Sequence, residues 1–134
     1  MKSHQVRIIS QTINAPIAAA YDFAHRPENF PKWAAGLSKS LHKTTKGWVA
    51  DTPQGEAIVR FSEPNAYGVL DHWVEMSGKA KVYIPLRMVA NASCTEVELV
   101  LFRQPEMNDL DFDKDEGLVL QDLIALKKLL EASQ

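Results

Sequence analysis

Residues 68–102 read GVLDHWVEMSGKAKVYIPLRMVANASCTEVELVLF, and this stretch decides the fold because its three β-rich runs must agree on one pairing register. A three-residue loop at Ser77-Gly78-Lys79 and a four-residue loop at Asn91 to Cys94 join the runs. With these loops, the apolar side chains of three antiparallel strands fall on one face. The partners expected across that face are His72 with Ile84, Leu70 with Leu86, Val74 with Val82, Ile84 with Leu101, Leu86 with Leu99, and Met88 with Val97.

The other face of the same register carries two opposite-charge pairs. Glu75 lies opposite Lys81, and Arg87 lies opposite Glu98. Each pair is expected to contribute from a few tenths of a kcal/mol to ~1 kcal/mol. A two-residue turn at Ser77-Gly78 would instead bring an arginine to the apolar face. The longer loop therefore gives the preferred register.

Three aromatic residues, Trp73, Tyr83 and Phe102, form a row on the outer face of this register. Exposed apolar patches often mark association sites, so one interpretation is an interface with a protein partner or a homodimer surface. The other interpretation is that long neighbouring side chains or a chain terminus cover the row, because scattered apolar residues are common at protein surfaces.

The segments before residue 68 predict one strand, two short helices and a strand-rich region. A first strand is predicted at Gln5–Ile13, a helix opening at Asn14-Ala15-Pro16, and a second short helix from about Pro27 to Ala35, finishing at Gly36. Further strands complete a seven-stranded curved antiparallel sheet; the predicted runs are Ser38–Thr44, Trp48–Asp51, Gly55–Phe61, Val69–Met76, Lys81–Ala90 and Thr95–Arg103.

A long helix is predicted at the C-terminal end. It opens with Asp113-Lys114-Asp115-Glu116, which resembles a capping box with acids in the first turn, and it runs to about Ala132. Its apolar stripe is broad enough to lie across a sheet. The stripe consists of Val119, Leu123, Leu126 and Leu130, widened by Leu120 and Ile124. We expect one α+β domain over residues 1–134, with the sheet gripping this helix.

Composition excludes several classes of function. Fifteen basic and seventeen acidic residues are interspersed, so nothing marks a nucleic-acid partner or an anionic membrane surface. One cysteine, Cys94, and an N-terminus without a signal-type apolar run favour the cytoplasm, and no segment is apolar enough to be integral to a membrane. The four histidines are scattered and the glycines isolated, so we expect no metal and no cofactor.

His72 is the one ionisable residue on the predicted inner face. A neutral imidazole there could orient a ligand or act as an acid or base, or it could be satisfied by a structural hydrogen bond. Other residues are candidates for lining a ligand pocket, although core packing is the simpler explanation for each alone. These candidates are Trp33, Phe61, Met76, Ile84, Met88, Leu101, Val119 and Leu123.

The order of elements and four short motifs resemble the START-like (SRPBCC) superfamily, the birch-pollen-allergen fold that includes polyketide cyclase/dehydrase-like proteins. The motifs are Asn14-Ala15-Pro16, PENFPKW at residues 27–33, GVLDHWV at residues 68–74, and Asp122-Leu123-x-x-Leu126-Lys127. The resemblance implies a helix-grip fold with a cavity under the long helix for a lipid, a polyketide or an aromatic metabolite.

Fold does not choose among the activities of such proteins, so three hypotheses follow. The leading one is a binding module for a small apolar or amphipathic molecule. The second is a cyclase, dehydratase or hydrolase that uses His72 as acid or base. The third is a protein-interaction or co-chaperone-like module that works through the outer aromatic row.

Overall fold

Two antiparallel sheets and a long C-terminal helix make up the computed structural model, which describes residues 1–34, 40–52 and 54–134. The elements in chain order are β1 (Val6–Ile13), α1 (Ile17–Ala24), a 3-10 turn (Pro27–Asn29), α2 (Phe30–Trp33), β2 (His42–Thr44), β3 (Gly47–Thr52), β4 (Gly55–Phe61), β5 (His72–Met76), β6 (Val82–Ile84), β7 (Leu86–Asn91), β8 (Cys94–Phe102) and α3 (Asp109–Ala132). The predicted end of the second helix at Gly36 and the predicted start of a strand at Ser38 lie outside the described residues.

The strand predicted at Lys81–Ala90 is divided at Pro85 into β6 and β7, so the described residues hold eight strands rather than seven. The sheets have the orders β1-β8-β7 and β2-β3-β4-β5-β6. Proline has no backbone N–H to donate to a ladder, so a proline inside a strand favours a break there. The chain therefore passes from one sheet to the other at Pro85.

The predicted register is confirmed on both sides of that break. The observed Cα partners include His72 with Ile84, Val74 with Val82, Leu86 with Leu99, and Met88 with Val97. The N–H of Leu70 donates to the carbonyl of Leu86 at 2.8 Å, which continues the same register beyond the start of β5. Ile84 and Leu101 are in different sheets and do not form the predicted ladder pair.

The main apolar core lies between the sheet β1-β8-β7 and the three helices. Three residues of the predicted stripe, Leu123, Leu126 and Leu130, are buried, and Val119 packs against the core while half-buried. Leu120 is exposed, contrary to the expectation that it widens the stripe. Helix α3 therefore presents a narrower face to the core than predicted.

The N-terminus of α3 is four residues earlier than predicted. The side chain of Asn108 accepts the N–H of Asp111 at 2.8 Å, and the carboxylate of Asp111 accepts the N–H of Asn108 at 3.3 Å. This reciprocal pair satisfies backbone donors that the first helical turn leaves free, so it fixes the start of the helix there. Within the described ranges, none of the helices combines the length and hydropathy that a membrane crossing requires.

Candidate ligand site

A small, partly open cavity of about 10 Å³ lies between the α1–α2 region and β5. That volume holds about one water molecule. Three of the residues predicted to contact a ligand, His72, Trp33 and Phe61, meet at this cavity. The full lining is Ala24, His25, Phe30, Trp33, Phe61, Ser62, Val69, Leu70, His72 and Leu86.

The imidazole of His72 is buried, with 5% of the residue exposed. Its Nδ1 lies 3.1 Å from the carbonyl oxygen of Leu70. A carbonyl oxygen only accepts hydrogen bonds, so Nδ1 carries the proton and Nε2 carries a lone pair. Burial lowers the pKa of His72 and so favours the neutral ring. Nε2 forms no hydrogen bond with any residue that the structure describes, so it is an available acceptor.

Trp33 has an indole N–H, a hydrogen-bond donor that complements the acceptor on His72. The residue is 3% exposed, and its indole Nε1 is buried without an acceptor in the described part of the chain. A buried donor left without a partner costs about 1–3 kcal/mol. The cavity is therefore lined by one residue with an unpaired donor and one residue with an unpaired acceptor.

Local structure explains why both of these rings pack against Phe30. The 3-10 turn is tied to α1 by Asn29, whose Nδ2 donates to the carbonyl of Phe23 at 3.0 Å. Phe30 and Trp33 are three residues apart and project from the same side of the short helix α2. The Phe30 ring packs edge-on against both rings, with centroids 5.0 Å from Trp33 and 5.2 Å from His72. The Phe30 ring is thus in contact with both the Trp33 indole and the His72 imidazole.

Six other predicted lining residues do not reach this cavity. Met88 and Leu123 are fully buried in the core. Ile84, Leu101 and Val119 pack against the core while half-buried, and Met76 is half-buried at the end of β5. Strand alternation identifies the face on which a side chain lies, but it gives no information about the empty space beside that side chain. These six predictions remain untested as ligand contacts.

A larger groove of about 630 Å³ adjoins the cavity. It lies between the turn at residues 25–28 and the strands β2, β3 and β4, and Trp48 contributes an aromatic ring to it. Three residues, His25, Phe61 and Ser62, line both the groove and the cavity. Sequence reasoning missed the groove because its residues come from three separated segments, none of which has a local motif.

The outer side of the sheet carries a contrasting polar cluster. Asp71, 5% exposed, accepts hydrogen bonds from the Tyr83 hydroxyl at 2.7 Å, the Leu86 N–H at 3.0 Å and the Arg87 guanidinium at 2.9 Å. Burial raises the pKa of this carboxyl, but the bonds from Arg87, Tyr83 and Leu86 outweigh burial and lower the pKa overall. The predicted position of Arg87 opposite Glu98 is confirmed, but the ion pair of Arg87 is formed with Asp71 instead of with Glu98.

The predicted aromatic row is present on this outer side. The ring centroids of Trp73 and Tyr83 are 5.1 Å apart, and those of Tyr83 and Phe102 are 6.3 Å apart. His4 packs beside Phe102 at 5.9 Å, so the N-terminal segment covers one end of the row. A role for the row as a protein interface stays a prediction.

Comparison with known proteins shows the fold. No family model matches the chain, and no curated protein matches its sequence. The solved structure of XoxI from Bacillus cereus is 16% identical, with a TM-score of 0.72 over 93% of this chain and 94% of that one. Ara h 8.0201 is 11% identical, with a TM-score of 0.63 over 97% of this chain and 99% of that one.

DynU16, a protein in the dynemicin biosynthetic locus, is 14% identical and has a TM-score of 0.71. The match covers 98% of this chain and 49% of DynU16, so this chain spans about half of that protein's length. Identities this low carry information about the fold alone. Together with the sheets and the long helix described above, they show that the chain has the α+β helix-grip fold of the birch-pollen-allergen type.

Proposed function

We propose that this chain binds a small, largely apolar molecule and holds a hydroxyl group of that molecule between Trp33 and His72. The observation that carries the proposal is the pair of unpartnered ring nitrogens on residues lining one cavity. A hydroxyl oxygen can accept a hydrogen bond from the indole N–H and donate one to the imidazole Nε2. Neither carbonyl groups nor ammonium groups can serve both nitrogens in this way.

The size of the cavity supports the insertion of one polar group rather than of a whole ligand. A volume of about 10 Å³ accommodates a single oxygen-sized group. The body of the molecule would then lie beyond His25, Phe61 and Ser62, in the adjoining groove. The rings of Phe30 and Phe61 next to the cavity favour an apolar or aromatic body over a sugar-like one.

A phenol tests the proposal directly. Calorimetric titration with 4-butylphenol should show binding to the wild-type chain and weaker binding to Trp33→Phe, which keeps an aromatic ring but removes the N–H. Loss of one hydrogen bond of about 1 kcal/mol corresponds to a roughly fivefold weaker affinity. Trp73→Phe makes the same chemical change on the outer face and should bind the probe unchanged.

Two results would reject the proposal. One is the absence of 4-butylphenol binding to the folded wild-type protein. The other is an equal affinity of the wild-type chain and Trp33→Phe. Mass spectrometry of small molecules retained after incubation with cell extract adds an independent readout, in which Trp33→Phe should retain less of any hydroxylated compound.

A second candidate is a hydrolase-type enzyme in which His72 acts as a base. The specific observation in its favour is the free lone pair on a neutral, buried Nε2. Hydrolysis of 4-nitrophenyl butanoate by the wild-type chain should then be lost in His72→Gln. Equal hydrolysis rates for the two proteins would rule out this role.

A further inference from the structure

The groove beside the cavity has the size of a small-molecule site. Its volume of about 630 Å³ falls within the range of about 300–1,000 Å³ that is typical of such sites. Trp48 and Phe61, both half-buried, offer apolar surface in it. The groove can therefore hold the part of a ligand that the 10 Å³ cavity cannot.

The charge of the groove differs from that of the whole chain. Four basic residues and two acidic residues line it, although the chain as a whole has a formal net charge of -2. The basic residues are Arg26, Lys43, Lys46 and Arg60, and the acidic residues are Glu28 and Glu63. A local excess of positive charge attracts and orients anions.

Lys43 differs from the other three cations because it has no carboxylate partner in the described part of the chain. Arg26 binds Asp22 at 3.0 Å, Lys46 lies 3.7 Å from Glu56, and Arg60 binds Glu75 at 2.8 Å. Lys43 is opposite Trp48 in the β2–β3 ladder, so both side chains are on the same face. The groove thus combines an unpaired ammonium group with a neighbouring aromatic ring.

Phe61 is the one of the three shared residues that can move without loss of a hydrogen bond. The hydroxyl of Ser62 donates to the Asp71 carbonyl at 2.5 Å, and Nδ1 of His25 bonds to the Tyr21 carbonyl at 3.0 Å. Phe61 makes ring contacts with Phe30 and His72 at centroid distances of 5.2 Å and 6.0 Å. An extended molecule can therefore pass from the groove to the cavity by displacing the Phe61 ring.

We infer that the ligand is an amphipathic carboxylate, whose anionic group binds beside Lys43 and whose apolar body passes Phe61 toward Trp33 and His72. This inference rests on the proposed function and adds the chemical class of the ligand and the side from which it is bound. An aromatic hydroxy acid satisfies both ends, because its carboxylate pairs with the ammonium group and its hydroxyl reaches the two ring nitrogens.

Two probes of similar size separate the inference from the proposed function. Both 3-(4-hydroxyphenyl)propanoate and 4-butylphenol carry the hydroxyl group, and only the first carries a carboxylate. At low salt the acid should bind about fivefold or more tightly than the phenol, and this preference should shrink as salt is added because the site is exposed. Lys43→Gln should remove the preference, so that the acid and the phenol bind this variant with similar affinities.

Lys79→Gln is the matched control, because Lys79 is exposed in the β5–β6 turn, outside the groove, and has no ion pair among the described residues. It should preserve the preference for the acid. Equal affinities for the two probes, or a preference that survives Lys43→Gln, would overturn the inference while phenol binding still supports the proposed function. Failure of both probes to bind the folded protein would overturn both.

Discussion

Asp71 and His72 are neighbours in the chain and equally buried at 5% exposure, but they occupy opposite faces of the sheet and differ in their hydrogen bonding. The Asp71 carboxylate accepts four hydrogen bonds, from Tyr83, Leu86 and twice from Arg87. The His72 ring makes one, through Nδ1. Equally buried groups therefore differ in hydrogen bonding: the carboxylate on the outer face has several donors, whereas the imidazole on the inner face keeps one nitrogen without a partner among the described residues.

The largest expected effect is on the outer face. Asp71→Ala leaves the Leu86 N–H and the Tyr83 hydroxyl without their acceptor, so it should lower the free energy of unfolding by about 3 kcal/mol in urea titration. Glu98→Ala is the matched control, because Glu98 faces Arg87 in the ladder but is exposed. Its cost should stay within about 0.5 kcal/mol. Equal costs for the two variants would show that the Asp71 cluster is not a structural unit.

The next effect is the pH dependence of stability caused by His72. Because burial lowers the pKa of the folded ring below its ordinary value of 6.5, the unfolded chain binds a proton more readily than the folded chain. Stability should therefore fall as pH drops below about 6.5, by up to ~1.4 kcal/mol per pH unit for this group.

His72→Phe should flatten this part of the profile, whereas His42→Gln, an exposed substitution on β2, should not. Asp71 affects the stability of the fold in a separate, lower pH range. Its pKa is lowered, so its contribution is present above its ordinary value of 3.8 and is lost as pH falls through the lower folded pKa. An unchanged profile for His72→Phe between pH 5 and pH 7, measured by urea unfolding, would contradict the assignment of a neutral, buried ring.

The smallest expected effect is the stability change of Trp33→Phe. The substitution loses buried ring area but also removes an indole N–H that has no acceptor among the described residues. The two contributions are each about 1–2 kcal/mol and opposite in sign, so thermal and urea unfolding should show a net change within about 1 kcal/mol. A loss of 3 kcal/mol or more, the usual range for a large core truncation, would mean that the indole N–H is satisfied in solution.

The fold was predictable where the residues on both faces of a strand indicated the same pairing register. The register between β5 and the following strands followed from apolar pairs on one face and charges on the other. The division at Pro85 was not predicted, because a proline can also occupy an edge strand without breaking it. The Arg87–Asp71 ion pair was missed because only residues directly opposite each other were paired, and Asp71 is a diagonal neighbour of Arg87 in that register.

The site was predictable only in part. His72, Trp33 and Phe61 were expected on an inner surface, and the structure brings them to one cavity. Which of their nitrogens lack partners depends on the positions of nearby acceptors, such as the Leu70 carbonyl beside His72 Nδ1, that no sequence pattern encodes. The groove with Lys43 depends on the approach of a turn to a hairpin far from it in sequence, and a lysine on a short strand gives no local signal of that approach.

The most direct measurement of the central claim is the indole N–H resonance of Trp33 in a ¹H–¹⁵N spectrum during titration with 4-butylphenol. The chain has three tryptophans, and Trp33→Phe and Trp73→Phe assign their signals. The Trp33 signal should shift most and saturate with the affinity found by calorimetry, while the Trp73 signal stays in place. A Trp33 signal that does not move while the probe is bound would contradict the claim that the unpaired nitrogens on the inner face hold the ligand.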